Sequence, residues 1–458
     1  MFNNPELRRQ MWIELTPNRL VMMPLTLGAI FFLSYFAEEP MRMLTTLSLI
    51  AFGIIVLLWG TKLAFESVIS EVNEKTWHSQ RMTPISPLDM IIGKLFGSTI
   101  YTWYGAAISS ATALISIIYL DDIESFKIFL ILLFLGLLIH SFSFLSSLVV
   151  IRRNNGREKI SYNGGIFIIA GVLIPWLMGA IPSMIFGYRS GHAEIGWYSL
   201  DFLPEDFMIF ALIFFLIWSY IGAYRNMKTE FQMANGPFVW TGFMISLMLF
   251  LSGLIADNMN DDLYARILSC CYLSYFIAIA AAYMMAFSEP KDIVEFRRMI
   301  NLMKHRQWKA FGEAIPLWLI SLGFCLMLCL ILLIATPFYS PLDRVIKSKQ
   351  LPVLYPLNCL FFVIRDLSLL IYVNLKGESQ RRADLATLVY LMIIYGLIPA
   401  IIGLAGFEEL VPVFLPLPDA GIINGTMPIM IQSGAMAWLM CRRWAVNNNQ
   451  AFKGQAFL

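Results

Sequence analysis

Apolar runs of about twenty residues recur along almost the whole of this chain, and that length matches the hydrocarbon thickness of a bilayer. All but one of them, the run 354–373 with Arg365 and Asp366, contain no Asp, Glu, Lys or Arg at all. Inside lipid every backbone N–H and C=O must be satisfied within the segment or a closed barrel. Uninterrupted apolar runs, without the alternation of a barrel strand, therefore predict helices. With 58% hydrophobic and 14% charged residues and a mean hydropathy of +0.69, little chain remains for a separate soluble domain. The first nineteen residues hold no apolar core of signal-peptide type, so the first span is expected to act as its own membrane signal.

The runs predict an all-α polytopic membrane protein of about twelve transmembrane helices. Expected spans are 20–36, 44–60, 95–120, 128–151, 166–188 and 207–223, then 238–256, 267–287, 315–337, 354–373, 385–406 and 427–441. Ahead of them, Leu7, Met11, Trp12 and Leu15 share a helix face, as in a helix lying in the membrane interface. The third span carries Ser98, Thr102, Gly105, Ala106, Ser109 and Ser110 at helical spacing, a stripe on which other helices can pack closely. Pro175 and Pro182 should kink the fifth span.

Basic residues are segregated by side. With a cytoplasmic N-terminus, outer segments keep only Arg42, Lys127, Arg189, Arg266, Arg344, Lys347 and Lys349 of the 33 Lys and Arg, with Arg365 inside a span. That fits the positive-inside rule, both termini cytoplasmic, in a plasma (inner) membrane of bacterial type. The basic residues sit in short loops, so no nucleic-acid partner is expected. Loop order repeats at a shift of roughly 220 residues, which suggests two six-span halves, 1–225 and 226–458, of which the second is a degenerate repeat. Cys270, Cys271, Cys325, Cys329, Cys359 and Cys441 lie in or beside apolar spans and read as small buried hydrophobes, not as a disulfide framework.

The longest well-patterned polar insert of the first half runs from Glu71 to Lys94. Thr83-Pro84 forces a turn. Ser86-Pro87-Leu88-Asp89 then starts a helix: Ser86 as N-cap, Pro87 at the first position, Asp89 in the favourable field of the helix end. Glu71, Glu74, Lys75 and Thr76, Thr83 to Pro87, and Gly93-Lys94 resemble the coupling segment of the ABC type-2 permease family, and Asn4 to Arg9 resembles its N-terminal elbow. The resemblance covers residues 4–225 well and the rest by layout. It implies that Glu71, Glu74, Thr83, Pro84, Ser86, Pro87 and Asp89 couple to a separate ATP-binding subunit, which would carry ATP and Mg. Trp77, Met82, Ile85 and Met90 are candidate apolar contacts for that subunit. It also implies short re-entrant helices within 189–206. The matching second insert, 288–314, departs from the pattern: it is strongly basic and could meet a partner or anionic lipid.

The chain has no Gly-x-x-x-x-Gly-Lys-Ser/Thr phosphate loop, no His-Glu-x-x-His pair and no Gly-x-Ser-x-Gly turn, so no catalytic or cofactor site is expected on it. His140, Arg365 and Asp366 are the candidate residues of a translocation path, since ionisable groups are costly in lipid. His140 reads foremost as a neutral histidine bonded to a neighbouring helix. Arg365 and Asp366 point about 100° apart and are expected to pair elsewhere. The expected function is the permease subunit of an ATP-driven exporter of an apolar or amphiphilic substrate, alone or as a homo- or hetero-dimer. The alternatives are an ion- or proton-coupled secondary carrier and, less favoured, a lipid-modifying membrane enzyme.

Overall fold

The computed structural model describes residues 4–154, 194–256, 263–291, 293–338, 354–375, 380–418 and 420–455. Among them, ten helices are long and apolar enough to cross a membrane: Pro17–Phe36, Pro40–Asn73, Ile100–Leu120, Ile123–Arg152, Pro204–Glu230, Phe238–Ala256, Leu263–Ser288, Leu317–Ala335, Tyr355–Asn374 and Arg382–Leu404. Each takes the place of an expected span. The expected fifth span, with Pro175 and Pro182, lies outside the described residues, as do Arg189, Asp261, Asp262, Arg344, Lys347 and Lys349. The expected twelfth falls within the helix Met427–Gln455, which does not meet the same criteria.

Chain contacts divide the protein into two compact units, Met1–Gly196 with Leu200–Asn235, and Trp197–Ser199 with Gly236–Leu458. In the first, α1 (Pro5–Glu14) precedes α2 (Pro17–Phe32), and α3 (Pro40–Gly53) runs into α4 (Thr61–Asn73) through a π-helical turn, Ile54–Gly60. Short α5 (Trp77–Arg81) leads to α6 (Pro87–Ser98), α7 (Ile100–Leu120), α8 (Ile123–Asn154) and α9 (Pro204–Glu230). The expected boundary at 225 falls inside α9, because the sixth span continues as helix to Glu230. Where re-entrant helices were expected, β1 (Ile195–Trp197) and β2 (Leu200–Phe202) pair instead. Tyr198 and Ser199 turn that ribbon with φ of 49° and 66°, the left-handed pair that a tight hairpin requires.

Local chemistry sets the joints. The α7–α8 hairpin turns on Asp121, in the left-handed region at φ 51°, and on Asp122, whose carboxylate accepts from Ser125 N (3.1 Å) and Ser125 Oγ (2.7 Å) as the cap of α8. The small stripe of α7 is buried at Thr102, Gly105, Ala106 and Ser109, as its spacing predicted. The Thr45 hydroxyl donates to Ser116 Oγ at 2.9 Å between α3 and α7, and Ser141 donates to Ser219 at 2.7 Å between α8 and α9. Helices in lipid gain no hydrophobic drive from one another, so such close approaches and hydroxyl bonds hold them.

The second unit holds α10 (Phe238–Ala256), α11 (Leu263–Ser288), α12 (Ile293–Lys304), α13 (Trp308–Ala314) and α14 (Leu317–Ala335). After them come α15 (Tyr355–Asn374), α16 (Gln380–Met392), α17 (Ile398–Leu404) and α18 (Met427–Gln455). Its core joins Met244, Tyr275, Ala278, Cys325, Cys329, Leu332 and Cys359. Tyr275 donates to the Pro356 carbonyl at 2.7 Å, and Trp240 donates to Ser321 Oγ at 3.0 Å.

Candidate functional site

The helix Pro40–Asn73 has 34 residues, hence a length of about 51 Å against a hydrocarbon core of about 30 Å. It is therefore longer than a span needs, and its α4 end leads into the polar insert. It stops at Lys75, left-handed at φ 63°, with Thr76 N donating to the Glu71 carbonyl at 2.9 Å. The chain then turns through α5 and a polar stretch to Ser86. That residue caps α6 as its sequence requires: Ser86 Oγ accepts from Asp89 N at 3.1 Å and donates to Asp89 Oδ2 at 2.7 Å.

Beneath this segment lies a buried ion network. Lys94, on α6, has a side chain with no solvent exposure at all. Its ammonium donates to Glu6 Oε1 (3.0 Å), to Gln80 Oε1 (2.6 Å) and to Glu71 Oε2. Arg9 donates to Glu6 Oε2 (3.0 Å) and Oε1 (2.8 Å) and to Glu71 Oε1 (2.6 Å). Two carboxylates thus face two cations, and the charge cancels where a lone buried ion would be very costly. Burial alone pushes the Glu6 carboxyl up, but the Arg9 hydrogen bond and the Lys94 charge outweigh it and hold it below the ordinary glutamate range. Bonding to Glu6 raises Arg9 further, so it stays charged.

The network fixes the protein-facing side of α1. The face that α1 buries is Glu6, Leu7 and Gln10, whereas Trp12 is 88% exposed. It crosses α6 at Gly93 and Gly97, where an added Cβ would lie 2.6 Å from the Cβ of Glu6 and of Gln10 respectively. The missing side chains at these two glycines allow the approach. Asn4 caps α1, accepting from Glu6 N (3.0 Å) and Leu7 N (3.1 Å), and donates to the Asp89 carbonyl at 2.6 Å. Arg81 pairs with Glu230 of α9 at 3.6 Å.

The expected coupling residues divide into two sets. Glu74, Thr83, Pro84, Ser86 and Asp89 are exposed, with Met82 at 88%. Glu71 and Pro87 face inward. Trp77 and Met90 also face inward and belong to the apolar core with Phe65, Ile91 and Leu95, so they cannot serve as surface contacts. The expected contact surface is reduced to the tip 82–89.

The membrane residues are also placed. His140 Nε2 donates to the Val56 carbonyl at 2.8 Å, within the π-helical turn, and its ring meets Trp103 edge-on at 5.5 Å. A π turn frees carbonyls from the regular ladder, and the imidazole satisfies one. Gly60 leaves the room: a Cβ there would collide with Nε2 of His140. The expectation that Arg365 and Asp366 cannot pair is corrected: Arg365 Nε donates to Asp366 Oδ1 at 2.9 Å. The Cα–Cβ directions diverge, but the long arginine side chain curls back across the gap. Both residues also reach other helices, as expected. Tyr283 and Tyr395 donate to Asp366 Oδ2 at 2.7 and 2.6 Å, and Arg365 Nη1 donates to Gln432 at 2.8 Å. The guanidinium lies over the rings of Phe362 (4.8 Å) and Tyr395 (5.1 Å).

Sequence reasoning placed Glu6 and Arg9 in the elbow and Gln80 and Lys94 in the coupling insert, but did not bring them together. The available signal was two pairs at i, i+4: Glu6 with Gln10, and Gly93 with Gly97, a polar face opposite a bare one. These features define an all-α polytopic membrane protein with a braced extramembrane segment. Comparison with family models, with curated proteins and with solved structures finds no match to this chain.

Proposed function

We propose that this chain is the membrane-spanning permease subunit of an ATP-driven ABC transporter, of exporter type, coupled through Glu71–Lys94 to a separate ATP-binding subunit. One observation carries the reading: a largely exposed tip, Met82 to Asp89, stands on an ion network in which Lys94, Glu6 and Glu71 are buried and Arg9 closes the outer side. A push on such a tip is transmitted, because Lys94 and Glu71 tie it to α4 and to α1. In this reading the chain has twelve spans in two halves, with both termini cytoplasmic, in a bacterial inner membrane. ATP and Mg sit on the partner, and one or two permease chains complete the path for an apolar or amphiphilic substrate.

The test is co-purification with an ATPase chain, followed by the variant Ser86→Ala/Asp89→Ala. Loss of the cap removes about 0.5–2 kcal/mol of local helix stability. ATPase stimulation by the permease should fall while membrane insertion is unchanged. Full stimulation by that variant would sink the coupling assignment.

A second reading rests on Arg365, Asp366, Tyr283, Tyr395 and Gln432, a polar cluster inside candidate spans of the kind found at the coupling site of an ion- or proton-driven carrier. Uptake or efflux by the purified chain alone, driven by a proton gradient without ATP, would favour it.

A further inference from the structure

The second extramembrane insert lies between α11 and α14, and its level relative to the bilayer follows from its attachments. The nineteen residues of α14 measure about 28 Å, close to the hydrocarbon thickness, so Leu317 sits at the membrane boundary. Only Ile315 and Pro316 separate it from Ala314, the last residue of α13. Two linking residues reach roughly 10 Å. Glu289, one residue beyond α11, accepts from Leu317 N at 2.9 Å and fixes the end of α11 at the same depth. Gly312 of α13 lies beside Pro237, which directly precedes α10, such that an added Cβ would sit 3.7 Å from its ring. The starts or ends of three candidate spans thus hold α13 along the boundary.

The joint between α12 and α13 turns at Arg306, left-handed at φ 54°, with Gln307 N donating to the Leu302 carbonyl at 3.0 Å. This tight turn gathers Lys304, His305, Arg306 and Lys309, all exposed. No acidic residue occurs from Met303 to Gly312. Met303 and Trp308 stand among them, 48% and 64% exposed. Meanwhile α12 buries none of its residues and is fastened to α18 by Phe296 against Trp444 (6.1 Å) and by Arg297 Nη2 donating to the Asn447 carbonyl (3.2 Å).

We propose that the turn Met303–Lys309 is an anionic-phospholipid site of the protein's own membrane. Headgroup phosphates meet Lys304, Arg306 and Lys309, while Met303 and Trp308 enter the acyl boundary, the level that tryptophan favours. A soluble acidic partner would satisfy the cations but not explain two large apolar side chains held at bilayer level. The proposal is independent of any ATPase partner.

The experiment uses the full chain with its six cysteines replaced and Gln307→Cys carrying a fluorophore, in lipid nanodiscs with brominated acyl chains as quencher. Discs of phosphatidylcholine alone are compared with discs mixed about three to one with phosphatidylglycerol. Quenching should be stronger in the mixed discs and fall at high salt, since screening weakens contacts at the surface. Each cation favours the surface-bound state about fivefold, so Lys304→Gln/Arg306→Gln/Lys309→Gln should return quenching to the neutral-disc level. An unchanged melting temperature in that variant excludes unfolding as the cause. Equal quenching in both discs, or none in either because the turn faces water or an acidic protein, would overturn the proposal.

Discussion

Lys94 shows at the scale of one residue how a buried charge is tolerated. Its three acceptors come from α1, α4 and α5, so its removal leaves Glu6 and Glu71 with the half-exposed Arg9 as their one shared cation. Breaking a buried pair by deleting one partner typically costs about 3–5 kcal/mol, whereas neutralising the whole set is far milder. Lys94→Met should therefore lower the melting temperature sharply, and adding Glu71→Gln, which leaves Glu6 paired with Arg9, should recover most of the loss. A double variant as unstable as the single one would mean that packing, not charge, is at stake. Glu6 makes a pH prediction of definite sign. Its folded pKa lies below the ordinary value of about 4.3, so its stabilisation is complete above that value and is lost as pH falls through the lowered one. Melting curves taken down through the acid range should show this loss in the parent and a smaller one in Glu6→Gln. Helical spacing marked the two faces but not their meeting. Residues 88 apart meet here, and a polar helix face gives no sign of whether water or a glycine pair will cover it.

At the scale of elements, the π-helical turn and His140 form one unit. Gly60→Ala pushes against the imidazole, and His140→Ala strands the Val56 carbonyl, yet the second change makes room for the first. The pair should be strongly non-additive, with a coupling of about 0.5–3 kcal/mol in a double-mutant cycle. Additive losses in thermal unfolding would mean that the contact does not join the two helices. Other elements were legible for a plain reason: caps are local. Ser86-Pro87-Leu88-Asp89 carries its own N-terminus, and the α6 cap is found as those residues dictate. Arg365 and Asp366 were misjudged because adjacent Cα–Cβ directions say little about a side chain long enough to fold back. The apolar stripe of α1 is divided, since Leu7 is buried against protein while Trp12 faces outward.

At the scale of the whole molecule, the ten candidate spans among the described residues were legible because each is an apolar run that exceeds the bilayer criterion without help from its neighbours. Side of insertion follows from charge in the proposed topology, and it can be checked on exposed residues. With native cysteines replaced, Thr83→Cys should be shielded from an impermeant thiol reagent in intact cells, and Glu38→Cys should react. The reverse labelling would invert the topology and remove the tip from the side where ATP is available. Partnership between helices is a property of the folded whole, and it was legible only where small residues marked a face, as at Gly105 and Ser109.

The continuous helix Pro40–Asn73 has a mechanical consequence. From the middle of its π-helical turn to Glu71 is about 14 residues, an arm of about 21 Å. A tilt of about ten degrees about that turn swings Glu71 sideways by about 4 Å, more than a hydrogen bond's length. Because Lys94 and Arg9 hold that end, α1 and α6 would travel with it. In the proposed transporter, a rotation inside the bilayer and a displacement at its edge would then be the same motion.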